Sequence, residues 1–79
     1  MKLGHKAREI VDSIIDELSR NGIYQFNLEQ RRKHGAVLFT VDGVRKSITF
    51  SVSPSDGRAA ANSRKYVRLA IQEAKDKSA

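Results

Sequence analysis

Val37-Leu38-Phe39-Thr40-Val41-Asp42-Gly43-Val44-Arg45-Lys46-Ser47-Ile48-Thr49-Phe50-Ser51-Val52 is the stretch whose reading decides the fold. Its first five residues are β-branched or aromatic for the most part, which suits a pleated, half-buried surface. Asp42-Gly43 is a two-residue hairpin signal, because both central positions of such a turn require positive φ. Beyond it Ile48, Phe50 and Val52 alternate with Ser47, Thr49 and Ser51, the period of two expected of a strand with one buried face. The stretch predicts two antiparallel strands joined by a tight turn.

Upstream, Tyr24, Phe26 and Leu28 alternate with Gln25, Asn27 and Glu29, predicting a further strand ahead of the pair. The polar segment Gln30-Arg31-Arg32-Lys33-His34-Gly35 links it to Val37 and carries too much charge to be buried. Earlier still the period changes. Ala7, Ile10, Val11, Ile14, Ile15 and Leu18 recur at steps of three and four, an apolar stripe on a helix over Lys6 to Arg20, and Asn21-Gly22 supplies a left-handed stop. On the other side of the hairpin, Ser53-Pro54-Ser55-Asp56 ends the sheet, with Ser55 and Asp56 as candidate N-caps. A second helix is expected from Arg58 to about Lys75, with Ala60, Ser63, Val67, Ala70, Ile71 and Ala74 on its inner side and a fraying tail beyond. The fold class is therefore α+β, ordered α-β-β-β-α: a three-stranded antiparallel sheet with two helices packed on one face. The 79 residues form one domain, its ordered core spanning about residues 6–75.

Composition narrows the function classes. A chain this short buries only about 60% of its unfolded surface, so a deep enclosed active site is not expected. It has no cysteine, which excludes disulfides and thiolate metal sites, and its two histidines, His5 and His34, are too few for a metal cage. No metal and no cofactor is expected. The absence of a long apolar run predicts neither a signal peptide nor a membrane span, and hence a cytoplasmic location. Net charge is +6, distributed as zero over residues 1–22, +2 over 23–57 and +4 over 58–79. An excess gathered toward the C-terminus points to an anionic partner, although solubility alone also calls for net charge.

Two features carry that charge. Arg31, Arg32, Lys33 and His34 lie together in the link between the first two strands, where they can reach phosphate oxygens from outside the fold; a solvated loop that discourages edge pairing would have the same composition. On the second helix Arg58, Lys65 and Arg68 fall within about a quarter turn of one another, with Arg64 just beyond. Here the plain alternative is an ordinary solvated helix face. Leu69 projects near this arc with no place in the core. His34 is the single candidate for catalysis, as a general base taking a 2′-hydroxyl proton while the neighbouring arginines stabilise developing charge; a contact role is the simpler use of a lone histidine. Four of the five aromatics, Tyr24, Phe26, Phe39 and Phe50, are assigned to the sheet, and one exposed on its open face would permit base stacking.

The α-β-β-β-α order over about Lys6 to Lys75, with His34 in the first inter-strand loop and Arg58, Arg64 and Lys65 on the second helix, resembles the double-stranded-RNA-binding domain. That resemblance implies binding of duplex or structured RNA through its backbone. The chain is also similar to HicA-type toxins, compact mRNA-cleaving ribonucleases; His34 would then be the general base, and an antitoxin protein a partner. The segments Lys33 to Thr40 and Val52 to Asn62 are similar to small phage and prophage proteins, which implies a third use, binding and modulating a host protein. RNA, with DNA as a substitute, is the expected ligand.

Overall fold

The periodicities are realised in the computed structural model, which describes residues 4–30, 32–51 and 58–78. The elements run α1 (His5–Arg20), β1 (Phe26–Gln30), β2 (His34–Val41), β3 (Val44–Ser51) and α2 (Ala59–Ser78). The strands form one antiparallel sheet in the order β1-β2-β3. Asp42 and Gly43 both take positive φ, 50° and 81°, so the two-residue turn has the twist that lets β2 run directly back into β3. Val41 accordingly pairs with Val44, and the register carries through to His34 opposite Ser51.

Alternation assigns the two faces. Val37, Phe39, Val41, Ile48 and Phe50 are buried and belong to one core cluster with Ile10, Val11, Ile14 and Leu18 of α1 and Val67, Ile71 and Ala74 of α2. Both helices therefore cover the same face, with α2 over β3 and α1 beside it. Ile14, Leu18, Val37 and Val67 are fully enclosed, and each such side chain contributes about 1.5–3 kcal/mol of transfer free energy. The other face bears Asn27, Glu29, Thr40, Arg45, Ser47 and Thr49, all exposed, around the half-buried Ala36 and Leu38. No described element covers it.

The end of α1 is specified residue by residue. Gly22 takes φ 78°. Its amide donates to the Ser19 carbonyl at 3.1 Å, and the Ile23 amide donates to the Leu18 carbonyl at 2.9 Å. These are the two bonds of a glycine-terminated helix end, and Ile23 packs against the cluster that holds Leu18. Glycine serves a different purpose at Gly35. A Cβ there would run into the ring of Phe50, its partner across the ladder, so the absent side chain makes room for the aromatic.

The structure departs from the sequence reading at both ends of elements. Tyr24 was expected in the first strand, but β1 begins at Phe26 and Tyr24 is 74% exposed. The expected strand order holds, with β2 starting at His34, so that part of the polar link joins the ladder. α2 continues to Ser78 where fraying was expected from Lys75. Arg31, Val52 and the candidate caps Ser55 and Asp56 lie outside the described residues. Among the described residues no helix is long and apolar enough to cross a membrane.

Candidate nucleic-acid interface

Register brings two distant parts of the chain to one end of the sheet. His34 opens β2 and pairs with Ser51, the last residue of β3. The link between β1 and β2 therefore sits at the same end as the exit from β3 that leads to α2 and Arg58. Lys46 fixes the opposite direction. It projects from the core face of β3, its side chain only 15% exposed, and its Nζ donates to Glu73 Oε2 at 3.0 Å. The charge thus reaches the edge of the core while the methylene stem stays in it. Glu73, late in α2, is thereby held near the hairpin half of β3.

The basic residues fall into three groups. Arg32, Lys33 and His34 are exposed at the sheet end and, among the described residues, their side chains make no hydrogen bond or ion pair. Lys65 and Arg68 are exposed on α2 and are likewise without a partner among the described residues. Arg64 is different. Its Nη1 donates to Asp16 Oδ2 at 2.7 Å and lies 3.6 Å from Glu17 Oε1, joining α2 to α1. Asp16 also accepts from Arg20 Nε at 2.9 Å. These bonds, Arg64's first and then Arg20's, hold the Asp16 carboxyl below its usual range, and the same contact raises Arg64 further. Arg58 is exposed ahead of α2 and makes an interaction of its own. Arg31 lies outside the described residues.

The open face of the sheet brings other residues beside the basic loop. Glu29, Arg32, Lys33, His34, Ala36, Leu38, Ser47 and Thr49 line a shallow depression of about 660 Å³ at the loop end. A second, of about 1030 Å³, lies toward the hairpin end, where Tyr24, Asn27, Leu38, Thr40 and Arg45 meet the start of β1 and where Phe26, Phe39 and Lys46 reach it from the other face. Leu38 borders both. Arg45 was findable: counting back by twos from Thr49 and Ser47 puts it on the open face, opposite Thr40. Tyr24 was hidden by a pattern that continued one residue pair too far. On α2, Tyr66 and Leu69 are 55% and 49% exposed. Among the described residues no group of three or more metal-binding side chains gathers.

Compared with protein-family models, curated proteins and solved structures, the chain matches none.

Proposed function

We propose that the protein is a small RNA-binding domain that grips the sugar-phosphate backbone of structured or duplex RNA with its β1–β2 loop. One observation carries this reading: the side chains of Arg32, Lys33 and His34 are exposed and unpaired among the described residues, at the sheet end where β3 finishes. Unpaired cations break no existing ion pair on meeting a phosphate, whereas an arginine already in an ion pair must first give it up. Arg58, Lys65 and Arg68 extend the contact along α2; Arg64 serves chiefly to hold the helices together. Binding of this kind is electrostatic and indifferent to base sequence, since phosphate contacts position without specifying. A gel-shift assay with duplex RNA, duplex DNA and single strands over a salt series tests it. Retardation of RNA at low salt that fades steeply as salt rises supports the proposal, and no RNA retardation at low salt defeats it.

A second reading draws on the depression that holds His34 beside Glu29, Arg32 and Lys33. There His34 would take the 2′-hydroxyl proton of a bound strand and the cations would stabilise the charged transition state, as in a metal-independent ribonuclease. Incubating RNA with the wild type and with His34→Ala separates cleavage from binding.

A further inference from the structure

We infer that the open face of the sheet receives an unpaired segment of the same RNA, laid along β2 from the basic loop to Tyr24 and Arg45. This rests on the loop as an RNA-backbone contact and adds the face that reads unpaired nucleotides. The two depressions both border Leu38 and so adjoin along β2, where together they make the proposed trough; the larger also reaches Phe26, Phe39 and Lys46 of the other face at the hairpin end. From His34 to Thr40 the strand advances about 20 Å, at about 3.4 Å per residue.

The trough has the parts a single strand needs. Cations stand at both ends: Arg32 and Lys33 at one, Arg45 at the other, none with an ion-pair partner among the described residues. Its middle is apolar and low, because Ala36 and Leu38 are the half-buried residues of an otherwise polar face. Tyr24, the most exposed large hydrophobic residue described, supplies a ring at the far end, and base–aromatic stacking is indifferent to sequence. Ser47 and Thr49 on β3 and Asn27 on β1 flank the floor with groups that both donate and accept, suited to base edges. The charge at each end favours a phosphate chain over an apolar peptide. A regular duplex keeps its bases stacked inside and offers them neither the floor nor the ring.

The test compares two labelled RNA hairpins, one blunt and one with an unpaired tail of about six nucleotides, by fluorescence anisotropy; the tail length falls within the span of a single-strand site on a small domain. The proteins are wild type, Tyr24→Ala and Arg45→Gln, with circular dichroism to confirm folding; both substituted positions are exposed. The tail is expected to tighten wild-type binding about tenfold, and each variant to lose most of that gain, in line with the cost of removing one stacking partner, while binding the blunt hairpin as wild type does. Equal affinity for the two hairpins, or variants that weaken both alike, overturns the inference and leaves the loop's role standing. If neither hairpin binds, the loop reading falls and this inference with it.

Discussion

Arg64 Nη1 of α2 sits 2.7 Å from Asp16 Oδ2 of α1, an ion pair between residues 48 apart in sequence. It clasps the two helices that cover the sheet, and it turns one cation of the helix arc inward. Removing it therefore acts first on stability. Asp16 is held below its ordinary value of 3.8 by this bond and that of Arg20, so the clasp contributes fully above that pH and is lost as pH falls below it. Thermal melts of the wild type and Asp16→Asn should differ at pH 7, with the wild type more stable, and converge as pH falls below 3.8.

The same geometry separates the cations of α2 by role. Arg64→Gln should lower the melting temperature while changing RNA affinity little. Lys65→Gln and Arg68→Gln should leave the melting temperature unchanged and weaken RNA binding about uniformly across sequences. Titrations and melts on the same three variants measure both quantities.

Gly35 gives a prediction about packing alone. A methyl group there meets the Phe50 ring, which is itself enclosed in the core, so Gly35→Ala should cost about 1–3 kcal/mol by overpacking. Urea denaturation checks it. Gly35→Ala combined with Phe50→Leu should recover part of the loss, because the shorter side chain vacates the contested space.

His34 is exposed at the start of β2 and its side chain is not part of the core. His34→Ala should therefore fold as the wild type does and weaken RNA binding modestly. If the wild type shortens RNA on a denaturing gel and the variant does not, His34 acts as a base; intact RNA with both assigns it a contact role.

The fold was legible because its strongest signals are local. The three-and-four spacing from Ala7 to Leu18, the Asn21-Gly22 stop and the Asp42-Gly43 turn each follow from dihedral and burial rules within a few residues. The exposure of the candidate site was legible as composition: Arg32, Lys33 and His34 had to be outside. Pairing was not. Nothing near Arg64 in sequence announces Asp16, since the clasp depends on how two helices lie together. Tyr24 continued the alternation of Phe26 and Leu28, yet the ladder stops at the Phe26–Phe39 pair, and Tyr24 falls beyond it into solvent. Arg45 was overlooked because its place on the open face, opposite Thr40, follows from strand register rather than from a run of charge in the sequence.

The most direct test of the central claim is a fluorescence-anisotropy titration of structured RNA at several salt concentrations, with the wild type and an Arg32→Gln/Lys33→Gln double variant. The logarithm of the wild-type binding constant should fall linearly with the logarithm of salt, and the double variant's slope should be shallower by about two, roughly one for each phosphate contact removed. Wild-type binding that is undetectable at low salt, or a slope that the double variant leaves unchanged, would contradict the loop's assignment as the backbone contact.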